Sequence, residues 1–202
     1  MDELLLFDRL NATHATPHWE IAAAMVIAQW VIWAIPVALV WAWLRGREEQ
    51  RRALLEMLLA ALLALGVAQI VTHVWPHPRP FMAHAGTQFL AHVADPGMPS
   101  DHVTVFWSLA CAAAISARFA RWSLPLFALG LLVGWSRVFL GVHFPYDIAA
   151  ALPVAFLGAA LARSARSPMA RAYTTALDAW SHLEHLVRGR PASTSSSHDG
   201  DE

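Results

Sequence analysis

Four polar residues lie close together in the otherwise apolar stretch from Trp135 to Asp147: Ser136, Arg137, His143 and Asp147 itself. Charged and titratable side chains are costly at membrane depth, so such a cluster indicates a functional site. Arginine can bind phosphate oxygens through paired hydrogen bonds, and histidine can act as a nucleophile or as an acid. A nearby aspartate can fix the tautomer of the imidazole. The stretch therefore favours phosphoryl-transfer chemistry.

The composition indicates that these residues belong to an integral membrane protein. Of the 202 residues, 57% are hydrophobic and 14% are charged, whereas soluble domains have roughly 25% charged residues. The length fits one membrane-embedded domain, residues 1–166, followed by a cytoplasmic tail, residues 167–202. We expect a short helix at about Pro168–Arg188 in the tail, and then a compositionally disordered end. The single Cys111 excludes an intramolecular disulfide.

Apolar runs and their breaks predict an all-α, polytopic helical bundle of about five transmembrane helices. The runs approach the length that spans a ~30 Å hydrocarbon core. A short interfacial helix is expected near the N-terminus, within residues 4–10, and a short helix plus loop within residues 82–97. The predicted spans are Ile21–Leu44, Ala53–Trp75, His102–Phe119, Ser123–Gly141 and Tyr146–Ala162.

The arginines predict the orientation of the bundle. All fourteen basic residues are arginines, and loops rich in basic residues favour the cytoplasmic side of a membrane. This rule places the N-terminus outside and the C-terminus inside. The arginines assigned to the inside are Arg45, Arg47, Arg51, Arg52, Arg118, Arg121, Arg163, Arg166 and Arg171.

This topology brings polar residues from four segments to the outer ends of spans two to five. Each has an ordinary explanation as a helix cap or interfacial anchor, and a His–Asp pair at a helix terminus can simply complement the helix dipole. Two arginines, two histidines and two aspartates on one face are better explained by a phosphate site. The converging residues are Arg79, Ser100, Asp101, His102, Arg137, His143 and Asp147.

The spacing of these residues resembles the signatures of the type 2 phosphatidic acid phosphatase (PAP2) superfamily. Ser136-Arg137, followed by His143 and Asp147, matches the third signature of the family in spacing and identity. The motif PSDH at residues 99–102 is similar to the second signature, which usually reads PSGH. The Asp variant, together with HPRPF and GVHFPYD, resembles bacterial undecaprenyl-diphosphate phosphatases of the BcrC type.

The resemblance implies a role for each motif residue. His143 would be the nucleophile, His102 the general acid and Asp147 the carboxylate that orients the nucleophile. No metal or other cofactor is implied. The residues implied in phosphate binding are Arg79, Arg137, Ser100, Asp101, Thr72 and Ser136.

The first signature departs from the family pattern. Arg79-Pro80 is similar to its end, but the position seven residues before Arg79, where the family has lysine, is Thr72. Threonine can donate a hydrogen bond but carries no charge. His73 or His77 can supply a positive charge there when protonated, and His77, between two prolines, is otherwise a loop residue.

The resemblance also implies the substrate and the setting. The expected substrate is undecaprenyl diphosphate among membrane lipids, at the outer face of a bacterial inner membrane. Phosphatidate, phosphatidylglycerophosphate or lipid A, and transfer of the phosphate to another lipid, remain alternatives. A histidine-rich metal-binding protein and a binding-only relative are further alternatives. Residues 45–52 are too short and too acidic a patch for nucleic acid, and the sequence leaves the oligomeric state open.

Overall fold

Eight α-helices lie within residues 3–188, the part of the chain that the computed structural model describes. Two 3-10 turns, Val31–Trp33 and Ala120–Trp122, precede α3 and α6. The helices are α1 (Glu3–Leu10), α2 (His18–Trp30), α3 (Ala34–Arg45), α4 (Glu48–Val74), α5 (Asp101–Ala114), α6 (Ser123–Phe139), α7 (Pro145–Ser164) and α8 (Ala170–Arg188).

The chain divides into two compact units, Met1–Arg166 and Ser167–Glu202. The first unit contains α1 to α7, and the second contains α8. The disordered end predicted for the tail lies outside the described residues.

Four helical segments are long and apolar enough to cross a membrane: His18–Arg45, Glu48–Val74, Ala120–Phe139 and Pro145–Ser164. The first of them comprises α2, the 3-10 turn and α3 in series. These segments correspond to predicted spans one, two, four and five. The prediction of an all-α, polytopic membrane bundle is confirmed.

The third predicted span, His102–Phe119, is the shorter helix α5, which has 14 residues. At 1.5 Å per residue it is about 21 Å long, less than the ~30 Å of a hydrocarbon core. Nine of its residues are buried, because α4, α6 and α7 all pack against it. Because α5 is a central helix enclosed by other helices, the count of five spans is approximate.

Small residues let α4 and α7 approach each other closely. Gly158 of α7 faces Ala60 and Ala64 of α4, and both alanines are fully buried. A Cβ atom added at Gly158 would lie 2.7 Å from the carbonyl oxygen of Ala60 and from the backbone nitrogen of Ala64. In membranes, helices associate largely through such close packing of small residues. The contact holds the two helices that carry much of the site in a fixed relation.

Ion pairs bring the arginine-rich turns together at one end of the bundle. Arg118, after α5, pairs with Glu49 at the start of α4. Arg166, after α7, pairs with Glu56 of α4, with Nη2 2.6 Å from Oε2. The end of α4 and the starts of α5 and α7 therefore lie at the opposite end, where the polar motifs occur.

Residues 75–100 connect α4 to α5 through turns. The short helix predicted within residues 82–97 is not formed, so that prediction was wrong. The segment begins with three alternate prolines, which lack N–H donors and keep the preceding residues extended. Gly86 then adopts a left-handed φ of 61°. The connection is therefore a loop, which is held by contacts with neighbouring segments and not by a regular helix of its own.

The N-terminal helix α1 packs on the turn between α6 and α7. Phe7 is fully buried and meets Phe144 edge to face, with ring centroids 5.2 Å apart. The Asn11 side-chain amide donates to the carbonyls of Thr87 and Phe139 at 3.0 and 3.1 Å. These contacts attach α1 to the segment that carries His143.

Replacing Gly158 by alanine is expected to destabilise the protein. The new methyl group would overlap α4, and such overpacking typically costs 1–3 kcal/mol, roughly. Gly66→Ala, on the partner helix α4, is the matched control, because nothing lies within 4 Å of a Cβ atom at Gly66. Alanine there is expected to be neutral or stabilising by about 0.5–1 kcal/mol. Thermal unfolding in detergent measures both, and an equal effect of the two changes would contradict the close contact.

Candidate active site

The carboxylate of Asp147 lies fully buried in the first turn of α7, between two histidines. Its Oδ2 accepts the N–H of Phe144 at 2.8 Å and lies 3.1 Å from Nδ1 of His143. Its Oδ1 lies 2.9 Å from Nδ1 of His77. The contact with Phe144 is half of a capping box, in which a side chain at the third helical position binds the residue before the helix. The capping hydrogen bond from Phe144 thus fixes the position of the Asp147 carboxylate.

His143 is oriented by Asp147 and is 2% exposed. With Nδ1–H donated to the carboxylate, Nε2 carries the lone pair, and it lies 3.0 Å from Nη1 of Arg79. Burial, together with the positive charges of Arg137 and Arg79, holds the pKa of His143 well below its usual range. The imidazole is therefore neutral at neutral pH, and Nε2 can act as a nucleophile.

The turn that presents His143 requires a glycine two residues earlier. Gly141 has a left-handed φ of 77°, which side chains rarely adopt. A Cβ atom there would also collide with the carbonyl oxygen of Thr87. The backbone of the loop from 75 to 100 can thus approach the turn closely.

Arg79 is held in place by the loop that follows it. Its Nε donates to the backbone carbonyl and to Oδ1 of Asp95, both at 3.0 Å. Its Nη1 donates to the carbonyl of Val142 at 3.1 Å. These contacts fix the guanidinium beside Nε2 of His143, where a phosphoryl group would have to bind in order to react.

Three buried polar atoms near the start of α5 and on α6 have no hydrogen-bond partner among the described residues: Ser100 Oγ, Thr104 Oγ1 and Arg137 Nε. Ser100 is the N-cap residue of α5, but its hydroxyl makes no capping bond. Arg137 is 3% exposed and donates from Nη1 to the carbonyl of Ala28 at 3.5 Å. Because buried polar groups are nearly always satisfied in folded proteins, these three atoms are candidate donors to a bound anion.

An open cavity of about 400 Å³ adjoins Arg137. His102 and His92 contribute the other titratable side chains of its wall, and Trp30 and Trp33 contribute aromatic surface. The ring centroid of His92 lies 6.4 Å from that of His143. Burial and the charge of Arg79 lower the pKa of His92. The cavity therefore combines polar and aromatic walls, and His92 connects its wall to the ring of His143.

Three of the predicted phosphate-binding residues have other contacts. The Thr72 hydroxyl lies 3.0 Å from the carbonyl oxygen of Ala68 and 2.9 Å from that of Met98. Its single proton serves these two carbonyls, so Thr72 connects α4 to the segment before α5.

Ser136 and Asp101 also have protein partners. The buried Ser136 hydroxyl donates to the carbonyl of Val133 at 2.7 Å, within α6. The exposed Asp101 carboxylate accepts from Nε2 of Gln69 at 3.3 and 3.4 Å. The structure thus brings together His143, Asp147, Arg79, Ser100, Arg137 and His102, and it gives Thr72, Ser136 and Asp101 contacts with their neighbours.

Sequence reasoning assigned no part in the site to Asp95 and only a charge-supplying part to His77. Asp95 anchors Arg79, and His77 touches Asp147. The position of His77 between two prolines was a usable signal, because prolines hold a side chain in a rigid extended segment. Nothing in the sequence around Asp95 marks it, since its partner lies 16 residues earlier in the chain.

The chain belongs to the PAP2 superfamily, whose family model matches residues 53–168. It is a membrane-embedded phosphatase of that class, and the family resemblance seen in its motifs is confirmed. The structure is similar to the crystal structure of LpxE from Aquifex aeolicus, with a TM-score of 0.65 over 80% of this chain and 94% of that chain. The sequence identity to LpxE is 17%, so this similarity shows the fold alone.

Two relatives are more similar in sequence. YbjG of Escherichia coli strain K12 is 36% identical over 88% of this chain and 89% of its own length, and its name gives undecaprenyl-diphosphatase as a provisional activity. Undecaprenyl-diphosphatase BcrC of Bacillus subtilis strain 168 is 32% identical over 75% of this chain and 79% of its own length.

Ser100→Ala and Ser108→Ala are expected to have opposite effects. Both serines are fully buried on or beside α5, but the Ser108 hydroxyl donates to the carbonyl of Val105 at 2.9 Å. Ser100→Ala should lower phosphate release from a lipid substrate by roughly 10²–10³-fold, as loss of one oxyanion donor does, without loss of stability. Ser108→Ala should keep activity and lose about 1 kcal/mol of stability.

Phosphate release in detergent and thermal unfolding of both variants measure this difference. Full activity of Ser100→Ala, or a loss of stability as large as that of Ser108→Ala, would show that the Ser100 hydroxyl has no ligand to bind.

Proposed function

We propose that this protein hydrolyses undecaprenyl diphosphate to undecaprenyl phosphate and phosphate, and so recycles a carrier lipid for envelope synthesis. The observation that carries the proposal is the position of Nε2 of His143. This nitrogen is neutral, is oriented through Nδ1 by Asp147, and lies 3.0 Å from the Arg79 guanidinium. A nucleophile beside a fixed cation suits attack on a phosphoryl group, whose charge the cation stabilises.

In the first step, the lone pair of His143 Nε2 forms a bond to the terminal phosphorus of the diphosphate. The bond from that phosphorus to the bridging oxygen breaks, and His102 donates a proton to the leaving undecaprenyl phosphate. Arg79 and Arg137 stabilise the charge on the phosphoryl oxygens, and Ser100 donates a hydrogen bond to one of them. Asp147 stabilises the cationic phosphohistidine through Nδ1.

In the second step, water attacks the phosphorus of the phosphohistidine. His102, now without its proton, accepts a proton from that water, and the bond from phosphorus to Nε2 breaks. Phosphate leaves, and His143 returns to its neutral form with Nδ1–H on Asp147. No step requires a group beyond the side chains, the lipid and water.

The choice of a prenyl diphosphate has support from the relatives and from the cavity. BcrC, which is similar over most of this chain, bears the name undecaprenyl-diphosphatase. The cavity of about 400 Å³ beside Arg137 has room for a second phosphate, with His92 and His102 in its wall. The exposed rings of Trp30 and Trp33 at its apolar side suit contact with an isoprenoid chain in the lipid.

His143→Ala is expected to abolish hydrolysis, because no other group replaces Nε2 as the nucleophile. The measurement is phosphate release by the purified protein in detergent from undecaprenyl diphosphate and, separately, from phosphatidate. His18→Ala, at the exposed start of α2, is the control and should retain activity. Release from phosphatidate but not from the prenyl diphosphate would contradict the substrate, and activity in His143→Ala would contradict the mechanism.

We also propose that the active-site end of the bundle faces the outside of a bacterial inner membrane, with the C-terminus in the cytoplasm. The arginine-rich turns that share the opposite end support this orientation. In a Cys111→Ala background, cysteine at His84, in the exposed loop, should react with a membrane-impermeant maleimide in spheroplasts. Cysteine at Glu48 should react only after lysis. The reverse pattern would contradict the orientation.

A further inference from the structure

We propose that His77 and Glu3 form a positioning pair that acts on the nucleophile through Asp147. The inference rests on the proposed function, because it assigns His143 as the nucleophile and Asp147 as its orienting carboxylate. Neither His77 nor Glu3 is within the motifs that assign those two roles. The two residues would extend the His143–Asp147 pair into a chain of four side chains.

The first link is the contact between His77 and Asp147. Nδ1 of His77 lies 2.9 Å from Oδ1 of Asp147, closer than the 3.1 Å between His143 Nδ1 and Oδ2. The carboxylate is fully buried, so an oxygen without a donor would be costly. His143 and Phe144 both contact Oδ2, and His77 contacts the other oxygen, Oδ1. His77 thereby fixes the rotation of the carboxylate about its bond to Cβ.

The second link joins His77 to the N-terminal helix. Nε2 of His77 lies 3.7 Å from Oε2 of Glu3, and Oε1 of Glu3 accepts the N–H of Tyr146 at 3.3 Å. Glu3 therefore contacts His77 and the first turn of α7 together. The two carboxylates lie at opposite nitrogens of the His77 ring, so Glu3 holds the ring from the side away from Asp147.

The ring of His77 is also held by packing and by the loop. It lies 5.5 Å from the Phe144 ring, centroid to centroid, and Phe144 in turn packs on Phe7 of α1. The His77 carbonyl accepts the N–H of Gly97 at 2.9 Å. His77 is thus fixed by α1, by the α7 turn and by the loop, as a positioning residue must be.

The geometry predicts that His77 affects turnover more than substrate binding. His77 contacts Asp147 and Glu3 but does not line the cavity beside Arg137. Loss of its donor should let the Asp147 carboxylate rotate, which misdirects Nε2 of His143. Loss of such an outer hydrogen bond typically costs 10–100-fold in activity, roughly.

The test compares His77→Leu with His77→Asn. Leucine removes the donor, whereas the Asn amide can donate from about the position of Nδ1. His77→Leu should lower kcat by roughly 10–100-fold and leave KM for undecaprenyl diphosphate within about twofold, since the substrate is not touched. His77→Asn should restore most of kcat. His18→Leu is the matched control for the leucine substitution.

Wild-type kcat in His77→Leu, or an equal loss of kcat in the Leu and Asn variants, would overturn the role of His77. A rise in KM at unchanged kcat would overturn it too, because it would make His77 a substrate contact. If the wild-type protein hydrolyses phosphatidate instead of undecaprenyl diphosphate, the proposed substrate fails, and the same comparison on phosphatidate still tests the inference.

Glu3→Gln tests the outer link and remains informative if His77→Leu does not fold. The change removes the charge at Nε2 of His77 and should lower kcat by a fewfold. In the double variant Glu3→Gln/His77→Asn, the Glu3 change should have no further effect, because the shorter Asn side chain does not reach Glu3. Additive losses, or no loss in Glu3→Gln alone, would show that Glu3 does not act through His77.

Discussion

The burial of the Asp147 carboxylate is the constraint on which the rest of the site depends. A carboxylate removed from water needs donors at both oxygens, and they come from three residues in two segments: Phe144 and His143 in the turn before α7, and His77 after α4. Each donor must reach the oxygen at a fixed distance. The ends of α4 and α7 therefore cannot move apart without leaving a buried oxygen unsatisfied, and the requirement for a satisfied charge also aligns the nucleophile.

Helix packing makes this precision possible. Gly158 lets α7 lie directly on the backbone of α4, while ion pairs of Arg118 and Arg166 bind the far ends of the helices to α4. The N-cap residue of the short, enclosed α5, Ser100, donates its N–H to the carbonyl of Asp147 at 3.1 Å, which joins the start of α5 to the start of α7. The ion pairs at the end away from the chemistry fix the helices that position the side chains at the other end.

The helices and the motif residues could be predicted from the sequence because they depend on local patterns. Apolar runs indicate the transmembrane helices, and arginines indicate their cytoplasmic ends. The spacing from Ser136 to Asp147 matches the third signature of the PAP2 superfamily. The sequence does not reveal the contacts between residues that are far apart in the chain. The anchoring of Arg79 by Asp95 and the second histidine on Asp147 join residues 16 and 70 positions apart, and no pattern within either segment encodes them. The loop of residues 75–100 was mistaken for part helix because its composition is moderately apolar, whereas prolines and close backbone contacts decide its path.

Gly97 marks the point where the loop of residues 75–100 returns to the active site. A Cβ atom there would lie 3.0 Å from Cγ of Arg79 and 3.1 Å from Oδ2 of Asp147, so the chain passes directly against the reacting groups at this point. Gly97 and Asp95 attach the end of the loop to Arg79 and Asp147. His77 attaches the beginning of the loop to Asp147. Between these two points, Arg79 lies beside Nε2 of His143, and His92 lies in the wall of the cavity. One continuous loop therefore carries both the cation beside the nucleophile and part of the cavity wall, so a change in its length would alter headgroup binding and the alignment of His143 together.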